Sequence, residues 1–295
     1  MGAPEILLEQ VLQPQVLPMR NALTIDVEDY FQVSAFAPHI ERASWPAMPC
    51  RVEANVERIL ALLATHRIHA TFFTLGWIAE RYPGLLRSIV AQGHELASHG
   101  YGHLRACGQT RAEFLNDISS SKAIIEQIGG QAVLGYRAPS FSIGKGNLWA
   151  LDSLREAGYR YSSSIYPILH DHYGMPDAPR FAHYPNGADG LLELPISTVR
   201  LWSRNFPAGG GGYFRLLPYP LSRWLLRRIN SLERQAGIFY FHPWELDPGQ
   251  PRLSGLTFKT RFRHYLNLEQ METRLDALMR DFHWDRMDRI FLGST

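Results

Sequence analysis

The pattern of apolar and polar positions switches repeatedly between short continuous apolar runs and longer stretches with three-to-four-residue spacing. Ala22-Leu23-Thr24-Ile25-Asp26-Val27 reads as a buried strand that ends in an acidic cluster, Asp26, Glu28 and Asp29. From Val52 to Thr65, apolar side chains at Val56, Ile59, Leu60 and Leu63 keep helical spacing. Ala70 to Leu75 is a second strand, followed by a short helix before Pro83. Leu85 to Gln92 is helical, with Gly93 as its stop. Glu95 to Ser98 is a third strand. Thr110 with Glu113 three residues on marks a helix start, and that helix runs to Gly129.

The alternation continues through a strand at Val133–Tyr136, a helix at Asn147–Ala157 and strands at Tyr159–Tyr161 and Leu191–Ile196. A helix at Leu221–Ala236, a strand at Ile238–Phe241 and a helix at about Glu269–Phe282 complete it. Strand–helix repetition of this kind predicts a parallel sheet, and six or seven units predict closure into a (β/α) barrel. The Pro- and Gly-rich stretches after the fifth and sixth strands read as insertions. Residues 1–20 read as a lead-in, and 21–295 as one barrel domain with a C-terminal extension.

Asp26, His99, Arg137 and His242 all fall at the C-terminal ends of expected strands, where barrel enzymes assemble their sites. His99 and His103 lie four residues apart, but Gly100 and Gly102 argue against a helix there. A tight loop can still aim both imidazoles at one centre, for which Zn²⁺ is the natural ion. Two solvated loop histidines are the alternative, because a lone H-x-x-x-H is a common pattern.

Composition narrows the class. The chain has 295 residues, 45% hydrophobic and 20% charged, with a net charge of +2, which describes a globular protein and gives no reason to expect nucleic acid. Two cysteines, Cys50 and Cys107, form neither a disulfide framework nor a metal knuckle. No apolar run reaches the roughly 18 residues that span a bilayer. The N-terminal segment lacks the form of a secretion signal. Cytoplasm is the expected location, with peripheral association at the inner membrane open. Oligomeric state is not legible.

Four motifs occur in order: Thr24-Ile25-Asp26-Val27-Glu28-Asp29, Ser98-His99-x-x-x-His103, Tyr136-Arg137-Ala138-Pro139-Ser140-Phe141-Ser142 and Phe241-His242-Pro243. Together they resemble the NodB-like polysaccharide deacetylases, carbohydrate esterase family four. Asp26 to Phe31, Gly209 to Arg215 and Phe241 to Pro248 resemble the branch found in exosortase-linked exopolysaccharide loci. The resemblance implies a deformed (β/α) barrel of about seven strands. It implies metal-dependent removal of acetyl groups from an N-acetylated polysaccharide or oligosaccharide. Asp26 would be the base, His242 the acid that protonates the leaving nitrogen, and Arg137 the partner of Asp26. A divalent metal, Zn²⁺ first, would sit on His99, His103 and either Glu28 or Asp29.

The chain departs from the family in two places. Val27 separates the acids of the first motif. Strand alternation puts Glu28 on the face of Asp26, whereas a bend after Val27 would bring in Asp29. Where the family has an acid to orient the histidine, Tyr161-Ser162-Ser163-Ser164 offers serine, leaving Glu193 or Glu245 for that task.

His94 reads as structural, and His170, His172 and His183 as loop residues. Pro139, Tyr213 and Trp244 are candidate substrate contacts. Trp202 and Phe214 could also offer an aromatic face, with core packing as the alternative for each. Gly209 to Gly212 is either a linker or a close approach of backbone to substrate. The competing functions are a same-fold hydrolase of a small amide or ring C–N bond, and a non-catalytic carbohydrate-binding barrel.

Overall fold

The computed structural model describes residues 19–293, so nearly all of the expected lead-in lies outside the described residues. In chain order, β1 (Arg20–Val27), α1 (Val52–His66), β2 (Thr71–Thr74), α2 (Gly76–Arg81), α3 (Pro83–Ala91) and β3 (Glu95–Ser98) come first. Next are α4 (Arg111–Gly129), β4 (Gly135–Tyr136), α5 (Trp149–Glu156), β5 (Tyr161–Ser162) and β6 (Leu192–Glu193). The hairpin β7 (Thr198–Leu201) and β8 (Arg204–Pro207) leads to α6 (Gly211–Leu216), α7 (Tyr219–Ser231) and β9 (Ile238–Phe241). The chain closes with α8 (Phe258–Tyr265), α9 (Met271–Asp281), β10 (His283–Asp285) and α10 (Met287–Phe291).

Eight strands form one parallel sheet in the order β10-β1-β2-β3-β4-β5-β6, with β9 also paired to β1. This is a curled, deformed (β/α) barrel. Its seam lies between β6 and β9. In place of a ladder there, Ser197 N–H donates to the Ile238 carbonyl at 3.4 Å, and Tyr240 N–H to the Gly209 carbonyl at 3.4 Å.

Alternation along β1 explains the two sides of the sheet. Leu23, Ile25 and Val27 are fully buried against the helical layer, with the α1 stripe Val52, Val56, Ile59, Leu60 and Leu63 in the same core. Burying each such side chain stabilises the fold by about 1.5–3 kcal/mol. Ala22, Phe73, Ala97, Tyr161, Tyr240 and Met287 fill the barrel interior. Met287 comes from α10, which plugs the N-terminal end of the barrel; its N–H donates to Thr71 Oγ1 at 2.8 Å.

The register aligns the opposite rim. Val27 pairs with Thr74, Thr74 with Ser98, Ser98 with Tyr136, and Tyr136 with Ser162. Ile25 pairs with Phe241. The residues just past these positions (Glu28, His99, Arg137, Ser163 and His242) therefore meet at the C-terminal end of the barrel.

The expected helices occur with small changes of boundary, and Thr110 and Glu113 form the capping box at α4. Strands expected at 133–136, 159–161 and 191–196 shorten to two residues each. Both cysteines are free thiols.

Candidate active site

β1 delivers two carboxylates to the rim. After Val27, Glu28 N–H donates to the Asp26 carbonyl at 3.0 Å, a tight turn that keeps Glu28 beside Asp26. Asp29 then faces away. Its carboxylate accepts the N–H groups of Tyr30, at 2.8 Å, and Val52, at 2.9 Å, and the Cys50 thiol at 2.9 Å. The side chain that could have been a ligand is instead the cap that joins the β1 turn to α1. Between the two alternatives read from the sequence, the structure brings Glu28 to the histidines and takes Asp29 out.

The loop after β3 is fixed from several sides. Gly100 adopts φ +75°, and a Cβ there would lie 2.9 Å from Asp117 Oδ2, so the turn needs glycine. Gly76 N–H and Trp77 N–H at the start of α2 donate to the carbonyls of Gly100 and Tyr101 at 2.9 and 3.0 Å. Arg42 Nε donates to the Gly102 carbonyl at 2.7 Å. His103 is left at φ +54°, a left-handed conformation unfavourable for a non-glycine residue and held here by its surroundings.

Glu28, His99 and His103 form a cluster whose ligand atoms lie within 4.8 Å of one another. His99 Nδ1 faces the Arg137 carbonyl at 2.9 Å. Donation of Nδ1–H there leaves the Nε2 lone pair free to bind a cation. Burial holds the His99 imidazole down at about 4, with Asp26 opposing and His103 adding to the shift. Burial would raise Glu28, but His103, His242 and His99 outweigh it and keep the carboxyl well below the usual range. Glu28 Oε2 is buried with no hydrogen-bond partner, although it lies 2.7 Å from His103 Nε2. A buried carboxylate oxygen without a hydrogen bond, facing two imidazoles, fits a divalent cation. Two nitrogens and one carboxylate oxygen are a donor set of catalytic zinc centres.

Beside this cluster, Arg137 Nη1 donates to Asp26 Oδ1 at 2.6 Å and to Thr24 Oγ1 at 2.8 Å. The guanidinium is fully buried, packed over Phe73 at 4.0 Å. Ser163 supplies its remaining acceptors, with Nε donating to the carbonyl at 3.1 Å and Nη2 to Oγ at 3.0 Å. Ser163 therefore organises the arginine. The strip Ser162–Ser164 does not reach His242.

His242 Nε2 lies 4.0 Å from Asp26 Oδ2 and 3.5 Å from Glu28 Oε1. Its side chain is 19% exposed, whereas those of Asp26, Glu28 and His103 are 3–6% exposed, so His242 marks the open side of the site. Glu245 Oε2 accepts the His242 backbone N–H at 3.0 Å and faces Nδ1 at 3.4 Å. Burial opposes the charged imidazole, but Glu28, Glu245 and Asp26 together raise it to about 9. Glu193 does not contribute to this. Its Oε1 accepts the N–H groups of Ser164 and Ile165, both at 2.8 Å.

Trp244 is not a free stacking face. It is 5% exposed, with His242 and His264 stacked on it at 5.0 and 4.1 Å, and its Nε1–H donates to Glu28 Oε1 at 3.2 Å. The residue expected to touch sugar buttresses His242 and Glu28 instead. Tyr213 is half-buried beside the aromatic group of Phe141, Tyr166 and Tyr240. Pro139 is buried and opens a short turn in which Ser140 and Phe141 have φ of +54° and +48°. His94 is structural: Nδ1 accepts the Ala70 N–H at 3.1 Å. Trp202 sits 91% exposed at the tip of the β7–β8 hairpin.

Residues 45–162 match the polysaccharide deacetylase family model, and residues 163–292 match a domain of unknown function (DUF3473). Over residues 45–162 the chain is similar to the polysaccharide deacetylase family. A chitooligosaccharide deacetylase of Sinorhizobium fredii is 41% identical to it over 144 residues, 48% of this chain and 60% of that protein. A peptidoglycan-N-acetylglucosamine deacetylase of Bacillus cereus is 32% identical over 96 residues, 32% of this chain and 35% of that protein. The chain thus spans less than two thirds of either relative. A Mycobacterium smegmatis crystal structure, described as a candidate polysaccharide deacetylase, shares the fold with a TM-score of 0.62. Its identity is 21%, and the match covers 95% of this chain and 91% of that one. The deacetylase match ends at residue 162, so His242 and Glu245 come from the segment that matches the domain of unknown function.

Sequence reasoning did not single out Thr24 and Ser163 as partners of Arg137, or Arg215 as a partner of Glu245. The only signals were an arginine closing the glycine run and a glutamate three residues after His242.

Proposed function

We propose that the protein removes acetyl groups from an N-acetylated aminosugar polymer by hydrolysis. The observation that supports this most is the meeting of Asp26, held by Arg137, with His242, held by Glu245, beside the Glu28–His99–His103 cluster. A divalent cation on that cluster, Zn²⁺ by donor type, would polarise the acetyl carbonyl and lower the pKa of an attacking water. Asp26 takes the proton of that water as its oxygen bonds to the acetyl carbon. Arg137 pairs with Asp26 and orients it through Oδ1, leaving Oδ2 toward His242. When the C–N bond breaks, its electron pair stays on nitrogen, and His242 Nε2–H gives that nitrogen its proton. Acetate and a free amine leave, and one water is consumed. Exposure of His242 on the open side fits arrival of the leaving nitrogen from solvent.

The resemblance of Asp26–Phe31, Gly209–Arg215 and Phe241–Pro248 to proteins of exopolysaccharide loci supports a bacterial exopolysaccharide as the polymer. Acetate release from N-acetylglucosamine oligomers is the test, with and without chelator. Asp26→Asn should lower kcat by at least ~10²-fold, the scale of a general base. Full activity in that variant would remove Asp26 from the mechanism.

A further inference from the structure

The segment of unknown function contains an ion pair that the family match does not explain. Arg215, on α6, is 1% exposed, and its Nε donates to Glu245 Oε1 at 2.9 Å. The rest of the guanidinium is tied to backbone carbonyls: Nη1 donates to His264 and Leu266 at 3.0 and 2.6 Å, and Nη2 to Arg263 at 3.1 Å. These carbonyls belong to the end of α8 and the turn after it, the same segment whose His264 supports Trp244. Arg215 is therefore fixed in place by four acceptors, and its planar fork sets where the Glu245 carboxylate lies.

The glycine run has its reason here as well. A Cβ on Gly211 would fall 1.9 Å from Glu245 Oε2, and one on Gly209 2.1 Å from the Ile238 carbonyl oxygen. A Cβ on Gly210 would lie 2.6 Å from the Tyr240 ring. Three of the four glycines let α6 approach β9 and the Glu245 carboxylate. The sequence suggested a close approach to substrate; the approach is to this strand and this carboxylate instead.

We infer that Arg215 is a positioning residue for His242, acting through Glu245, with Gly211 opening the space that the carboxylate occupies. Arg215 does not touch the reacting atoms. It holds Glu245 Oε1, so that Oε2 accepts the His242 backbone N–H and faces Nδ1. The ring then presents Nε2 to the site. This inference rests on the deacetylase reading, in which Nε2–H protonates the leaving nitrogen.

The leaving group provides the test. An acetamide needs that proton, whereas an activated aryl acetate releases a phenolate that does not. Kinetics of Arg215→Met, Arg215→Lys and Gly211→Ala on N-acetylglucosamine oligomers and on 4-nitrophenyl acetate separate the cases. Arg215→Met should lose roughly 10²-fold in kcat on the oligomers, the range of general acid catalysis, at constant KM and with aryl acetate turnover unchanged. Arg215→Lys should recover part of the loss. Gly211→Ala, which leaves Arg215 intact and displaces the carboxylate, should show the same selective loss and provides the answer if Arg215→Met does not fold. Parallel losses on both substrates, or none on the oligomers, would overturn the inference while leaving the deacetylase reading standing. A wild-type protein inert toward every acetamide offered would remove that reading, and the inference with it.

Discussion

Glu193 gives a sharp prediction about pH and stability. Burial raises its carboxyl from the ordinary value of 4.5 to about 7, against the opposing hydrogen bonds from Ser162, Ile165 and Ser164 and the charge of Arg137. Its Oε2 is buried without a hydrogen-bond partner, so the ionised form is poorly accommodated. Between these two pKa values the folded protein holds a proton that the unfolded chain has released. Stability therefore falls as pH rises from about 4.5 to about 7, and this contribution is flat above that. The full span corresponds to about 3 kcal/mol at 1.36 kcal/mol per pH unit, most of it between pH 5 and pH 8. Glu193→Gln keeps an oxygen for the Ser164 and Ile165 N–H groups and cannot ionise. Relative to wild type, it should gain about 2–3 kcal/mol on going from pH 5 to pH 8. Urea unfolding of both proteins at both pH values, with chelator throughout, measures the difference and cancels the other titrating groups. A difference between variant and wild type that does not change with pH would show that Glu193 is ionised throughout and that its burial is better compensated than the structure indicates.

Two further outcomes follow from the site. If the proposed cation site is right, Glu28→Gln should lose a divalent cation that wild type binds, whereas Asp29→Asn should retain it and lose stability through weakened capping, by about 1 kcal/mol; metal analysis after dialysis, with melting curves, distinguishes the two. Arg137→Met leaves Asp26 buried without its cation, so chemical denaturation should show a loss of about 3–5 kcal/mol, and wild-type stability would mean that the pair is not formed in solution.

The parallel strands around β1 were readable because strands buried on both faces are continuous apolar runs, and four of the chemistry-bearing residues sit one step past such runs. The strands β4 to β6 were read too long. Their backbone leaves the ladder for loops stabilised by side chains, as Glu193 does for Ser164 and Ile165, and hydropathy alone cannot report that exchange. The hairpin β7–β8 lies in an insertion and helix α8 in the extension after β9, neither with strong periodicity. Glu28 and Asp29 could not be separated from sequence because the decision depends on Cys50 and Val52, more than twenty residues away, which claim Asp29. Trp244 was misread for a similar reason. A tryptophan beside a site is equally suited to stacking on sugar or on imidazole, and only His264, twenty residues on, decides.

The broken seam between β6 and β9 has a mechanical consequence. β1 is laddered to both β2 and β9, so Asp26, Glu28 and His242 hang from one continuous stretch of hydrogen-bonded sheet. His99 is connected to them through β2 and β3. The ladder around β1 therefore holds Asp26, Glu28, His99 and His242 in one frame, and the seam, closed by single hydrogen bonds, is where the sheet is least tied together.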